Sequence, residues 1–213
     1  MSALLCGFAA HHRRCCACEQ WSCDECGLHR ADGEGVVALV QRLGARCFAI
    51  VFDFDQTLCS TKSGAAPVVG RHVLQPELQS LLPQQQAGSN STDAGHEVAG
   101  GATRPKCCVA TRNSHGREIE DFLIASGVAV VRTRAGRETQ IGTQGQREDR
   151  MMPVHCVNAQ GRTKADVALQ LLAEAPEHGV VVLVDDDLRE LVLDDRVLGG
   201  RVHRVFFSPR ELG

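Results

Sequence analysis

The sequence lacks the features that mark several large protein classes. No stretch approaches the ~18 consecutive apolar residues of a membrane-spanning helix, so no membrane partner is expected. Neither sign of charge dominates: 23 Lys and Arg stand against 26 Asp and Glu, a net charge of −3. That balance argues against a basic nucleic-acid module. A secretory signal puts positive charge ahead of its apolar stretch. Here the apolar residues 2–10 come first and His11-His12-Arg13-Arg14 follow, which predicts an intracellular protein, with the cytoplasm as the expected compartment. Lysine is scarce, with Lys62, Lys106 and Lys164 beside twenty arginines. This is compositional drift, but it makes each lysine worth inspecting. No internal repeat is present.

What remains is 213 residues, 43% apolar and 23% charged. That is enough for one α/β domain with a small appendage and too apolar for a disordered chain. Eleven cysteines are present, six of them within the first 26 residues. The odd count and the clustering fit metal binding plus buried thiols better than a disulfide framework. The expected division is a Cys/His-rich segment over 1–33 and an α/β domain over 34–213.

Short apolar runs alternate with helical patterns. Cys47–Phe52, Cys107–Ala110, Val128–Val131, Val180–Val184 and Val202–Phe207 read as strands, most of them continuous runs buried on both faces. Helices are expected over 36–43, briefly from Pro76, over 116–126 with Gly127 as stop, and over 162–175. Residues 83–105 read as a loop, and 132–153 are polar and poorly patterned. The fold class is α/β, a Rossmann-like parallel sheet with helices on both faces. In such sheets ligands sit beyond the carboxyl ends of the strands.

The residues at those ends carry the chemistry. Asp53 and Asp55 follow the first run; they could share one crevice around a hard divalent ion such as Mg²⁺, or be solvated loop acids. Thr111-Arg112 follows the second run, ahead of a helix: an anion-binding corner or an ordinary cap. Asp185-Asp186-Asp187 follows Val180–Val184: metal ligands facing the first pair, or a helix start favoured by the macrodipole. Lys164 opens the helix before that strand, either as a charge partner for clustered carboxylates and phosphate or as a surface lysine.

In this order, Asp53-Phe54-Asp55-Gln56-Thr57-Leu58, Val109-Ala110-Thr111, Lys164 and Val181-Val182-Leu183-Val184-Asp185-Asp186 resemble the four motifs of the haloacid dehalogenase-like (HAD) superfamily, over residues 46–207. The resemblance implies an Mg²⁺-dependent phosphohydrolase acting on a phosphate monoester through an aspartyl-phosphate. Asp53 would be the nucleophile and Asp55 the acid/base. Thr111, Arg112 and Lys164 would hold phosphate, with Lys164 also steadying Asp53. Asp53, Asp55 through its backbone carbonyl, and Asp186 would hold Mg²⁺, with Asp185 and Glu190 as supporting candidates; the triple acid leaves the register among Asp185, Asp186 and Asp187 open. Gln56 stands where many members have glycine. The gaps between motifs leave no room for a large cap, so the chain resembles the minimally capped branch, whose phosphorylated substrates are small molecules or macromolecules.

Two Cys-x2-Cys hooks, Cys15/Cys18 and Cys23/Cys26, can supply the four thiolates of a structural Zn²⁺. Sets using Cys6 or His29, or a reactive metal-free tail, are the alternatives. A second functional reading keeps the scaffold but makes it a catalytically silent binding or regulatory protein that recruits a protein partner through the Cys-rich segment.

Overall fold

The computed structural model describes residues 22–23 (backbone only), 27–85, 104–132, 151–191 and 200–208. Seven strands form one sheet: β1 (Ser22–Cys23), β2 (Leu28–Ala31), β3 (Cys47–Phe52), β4 (Lys106–Thr111), β5 (Val154–Cys156), β6 (Val180–Asp185) and β7 (Val202–Phe207). The order across the sheet is β1-β2-β7-β6-β3-β4-β5. All neighbours pair in parallel except the edge pair β1–β2. From β3 the chain proceeds outward to β4 and β5, and then to β6 and β7 on the other side. The carboxyl ends of β3 and β6 therefore flank a switch point, where α/β sheets open a crevice.

The alternation of side chains along β3 builds both faces. Ile50 and Phe52 join a core with Val36 and Leu39 of helix α1 (Gly33–Leu43) and with Ile119, Phe122 and Leu123 of α2 (Gly116–Ala125). Ala49 and Val51 pack in the opposite core with Val167, Ala168 and Leu171 of α3 (Lys164–Glu174). Each fully buried aliphatic or aromatic side chain stabilises by about 1.5–3 kcal/mol. This is the expected doubly covered parallel sheet.

Several boundaries differ from expectation. α1 begins at Gly33, earlier than the apolar spacing predicts, because the Asp32 carboxylate caps it by accepting from Gly35 N at 2.9 Å. Gly33 also suits the packing there: a Cβ would lie 2.8 Å from Glu77 Cβ. β2 lies within the stretch 1–33, so the sheet starts upstream of residue 34. The segment 128–131 is not a ladder strand; it makes single bridges, Gln84 to Val128 and Val130 to Met152. Its place at the sheet edge is taken by β5, three residues long and drawn from just after the region read as unpatterned. The helix from Pro76 is a short 3₁₀ turn, Pro76–Leu81.

Of the five scattered cysteines, Cys47, Cys59, Cys107 and Cys108 are buried free thiols, as expected, whereas Cys156 is half-buried. Burial pushes the Cys47 and Cys107 thiols up to about 12. Of the expected zinc set, Cys15, Cys18 and Cys26 lie outside the described residues and only the backbone of Cys23 is described. The bulk of the expected loops at 83–105 and 132–153 likewise lies outside them. Among the described residues, no helix is long and apolar enough to cross a membrane.

Candidate active site

The Asp-x-Asp spacing works through the residue between. Phe54 is fully buried and meets Phe122 of α2 edge-on, with ring centroids 6.0 Å apart. It anchors the chain as it leaves β3, and Asp53 and Asp55 line an open cavity of about 810 Å³ at the carboxyl edge. Asp53 is held by its own backbone, whose N–H donates to Val184 O at 2.9 Å. That bond continues the β3–β6 ladder and sets Asp53 beside the acids that end β6. Gln56 has φ +60 and is the one non-glycine residue with positive φ among the described residues. This is a backbone that favours glycine, and Gln56 adopts it.

Lys164 is aimed from across the sheet. Thr163 and Asp166 form a capping box that fixes where α3 begins: the Thr163 hydroxyl accepts from Asp166 N at 3.1 Å, and Thr163 N donates back at 2.7 Å. The first helical residue is thereby turned onto the sheet, with only 3% of its surface exposed. Its ammonium sits 2.8 Å from Asp53 Oδ1 and 2.7 Å from Asp185 Oδ2. The surface-lysine alternative is excluded.

The triple acid separates into three roles. Asp185 is fully buried; Lys164 holds Oδ2, and Oδ1 accepts from Asp187 N at 2.9 Å. Asp187 turns to Arg189 at 2.6 Å. Asp186 faces the cavity, and one oxygen accepts from the Thr57 hydroxyl at 3.2 Å while Thr57 Oγ1 accepts from Asp186 N at 3.0 Å. One oxygen each of Asp53, Asp185 and Asp186 lies within 4.8 Å of the others. The Asp55 carboxylate turns aside, accepting from Gly64 N at 2.8 Å and from Asn113 Nδ2 at 3.1 and 3.2 Å.

Three carboxylates here share one ammonium. Burial pushes the Asp53 carboxyl up to about 7 against the pull of Lys164, and Asp185 adds to the rise. Burial likewise raises Asp185 to about 6 and lifts Asp186. For Lys164, burial pulls the ammonium down, but Asp53 and Asp185 together outweigh it and hold the group above its usual value. The cluster is thus short of positive charge, and buried charge of one sign is costly unless a cation offsets it. The donor set is all oxygen, as hard divalent ions prefer. Its spacing approaches the about 3–4 Å between oxygens of an octahedral Mg²⁺ shell. The residues present therefore fit such an ion.

On the other wall, Thr111 Oγ1 accepts from Asn113 N at 3.1 Å, which leaves its proton to donate. Arg112 lines the cavity rim, bonded to Glu190 at 2.6 Å and to Asn158 Oδ1 at 3.2 Å. Asp53, Asp55, Thr111, Arg112, Lys164 and Asp186 thus share one cavity, with Asp185 directly behind it. Sequence reasoning assigned no role to Thr57, Gly64, Asn113 or Asn158. In the poorly patterned region 132–153, Arg132 pairs with Asp121 at 2.9 Å, and 133–150 lie outside the described residues. No family model, curated protein or solved structure matches the chain.

Proposed function

We propose that this chain is a magnesium-dependent phosphohydrolase that cleaves a phosphate monoester through an aspartyl-phosphate, as its resemblance to the HAD superfamily implies. The observation that carries the reading is the buried Lys164 ammonium bridging Asp53 and Asp185, at the carboxyl ends of two adjacent parallel strands, where it lines an open cavity.

A carboxylate oxygen of Asp53 attacks phosphorus and the P–O ester bond breaks. Asp55 delivers a proton to the departing oxygen. Water then attacks the aspartyl-phosphate, Asp55 takes its proton, and inorganic phosphate leaves with Asp53 regenerated. Lys164 fixes the rotamer of Asp53 and offsets charge on the phosphoryl oxygens. The Thr111 hydroxyl donates to a further phosphoryl oxygen, and Arg112 stands at the rim where the rest of the substrate enters. Asp53, Asp186 and the backbone carbonyl of Asp55 would hold Mg²⁺, which when bound supplies positive charge between nucleophile and phosphate. Asp185 acts through Lys164 as a positioning residue.

The test is phosphate release from para-nitrophenyl phosphate with and without Mg²⁺. The expected result is Mg²⁺-dependent turnover that falls at least about 1,000-fold in Asp53→Asn, as loss of a nucleophile requires. A wild-type protein that binds Mg²⁺ but releases no phosphate would instead fit a binding protein on the same scaffold.

A further inference from the structure

Asn113 carries no charge, and its side chain is nonetheless tied in on every side. It is 2% exposed. Nδ2 donates to Ala65 O at 2.8 Å and reaches both Asp55 oxygens, Oδ1 at 3.2 Å and Oδ2 at 3.1 Å. Oδ1 of Asn113 accepts from His115 N at 3.0 Å, at the start of α2. An amide has two N–H groups: one goes to Ala65, and the other is shared between the Asp55 oxygens. The orientation of the amide is fixed chemically, because the His115 N–H needs an acceptor and the Ala65 carbonyl needs a donor. On the other side of Asp55, Gly64 N donates to Oδ2 at 2.8 Å. Gly64 itself has φ +76, in a turn that lines the cavity.

We propose that Asn113 is the positioning residue that aims Asp55 at the leaving oxygen, and that it thereby confers the ability to cleave phosphate esters of basic, unactivated alcohols. This rests on the phosphohydrolase reading. Asp55 Oδ2 is held by Gly64, so Oδ1, with its single longer contact, is the oxygen left to carry the proton. When it does, the shared Asn113 N–H settles on Oδ2 and the carboxyl keeps its direction. A general acid contributes only when its geometry is held tightly, and its contribution grows with the basicity of the leaving group. An activated phenol departs without the proton.

The experiment compares kcat/KM, which reports the steps through formation of the phosphoenzyme, for para-nitrophenyl phosphate and for phenyl phosphate in saturating Mg²⁺. Asn113→Ala and Asn113→Ser are expected to lose about 100-fold on phenyl phosphate and under about 5-fold on para-nitrophenyl phosphate. Asn113→Ser keeps an oxygen that can accept from the His115 N–H, adds no charge beside Asp55 and lacks the amide donor, so it carries the test if the alanine variant is unstable. In an Asp55→Asn background, adding Asn113→Ala is expected to cost no more than about 3-fold, since the group it aims is gone. Equal losses on both esters, full additivity with Asp55→Asn, or unfolding of both Asn113 variants would overturn the positioning role while leaving the parent reading standing. A wild-type protein inactive on both esters overturns the parent reading, and the role of Asn113 with it.

Discussion

The centre of the sheet and its flanks are equally buried but hold opposite kinds of ionisable group. At the centre, Asp53 just after β3 and Asp185 at the end of β6 are drawn together around Lys164. On one flank, His29 of β2 and His203 of β7 stack at 5.1 Å with Nε2 and Nδ1 2.9 Å apart; such a bond requires that at least one ring offer a bare nitrogen. On the other flank, His155 of β5 is buried with Nε2 lacking a hydrogen-bond partner among the described residues. Burial, reinforced by Arg162, pulls the His155 ring down to about 4. Burial thus acts with the fold at the flank, where a neutral ring is wanted, and against the charges at the centre, where carboxylates are wanted. The centre is therefore expected to respond to added cations, and His155 on the flank to added protons.

Removing the cation already present should break that contrast most severely. Lys164→Met leaves Asp53 and Asp185 buried side by side without their ammonium, and loss of one partner of a buried ion pair costs about 3–5 kcal/mol. Urea denaturation at neutral pH measures it. A change under about 1 kcal/mol would mean that the three groups are not coupled as their 2.7–2.8 Å contacts require.

Acid should separate the two regions by sign in the metal-free protein. Asp53 and Asp185 have raised values, so the folded state takes their protons first. Their stabilising contribution is present below the unfolded value of 3.8 and is lost as pH rises towards about 7 and about 6. His155 is lowered, so the unfolded chain takes its proton first. Its contribution is present above 6.5 and is lost as pH falls through about 4. A shift of that size amounts to roughly 3 kcal/mol. His155→Leu should therefore keep roughly 3 kcal/mol that the wild type loses between neutral pH and pH 4, read from parallel denaturation curves. Parallel losses in the two proteins would remove His155 as the acid-sensitive group.

The smallest expected effect is a reversal of order. Without divalent ions, Asp186→Asn should stabilise slightly, because one like charge leaves a crowded cluster and an amide oxygen can still accept from Thr57. With Mg²⁺ at 100 times its Kd, the wild type should gain about 2.7 kcal/mol by linkage and overtake the variant. Thermal unfolding with and without Mg²⁺ reads both arms; an unchanged order would take Asp186 out of the ion's shell.

The same contrast explains what the sequence made legible. The central strands are unbroken apolar runs, such as Cys47–Phe52 and Val180–Val184, and they end at acids, so both their burial and the place where acids gather could be read directly. The flanking β2 and β5 are four and three residues long and carry His29 and His155. Their histidines are buried by neighbours on other strands, which no local pattern records. Within the site, the charged groups were visible because they stand just after strands or at a helix start. Asn113, Asn158 and Thr57 were not, because uncharged amides and hydroxyls are common in loops. Their partners also lie 58, 46 and 129 residues away, at Asp55, Arg112 and Asp186. The register of the triple acid needed coordinates for the same reason: only the positions of Lys164, Thr57 and Arg189 sort Asp185, Asp186 and Asp187.

The central claim, that acids from β3 and β6 converge so that one of them can bond to phosphorus, is tested most directly by trapping that bond. Acid quench of the protein during turnover of para-nitrophenyl phosphate in Mg²⁺, followed by borohydride reduction and peptide mass analysis, should convert Asp53 to homoserine in the wild type and leave residue 53 unreduced in Asp53→Asn. Steady turnover with reduction at another residue, or at none, would contradict the account.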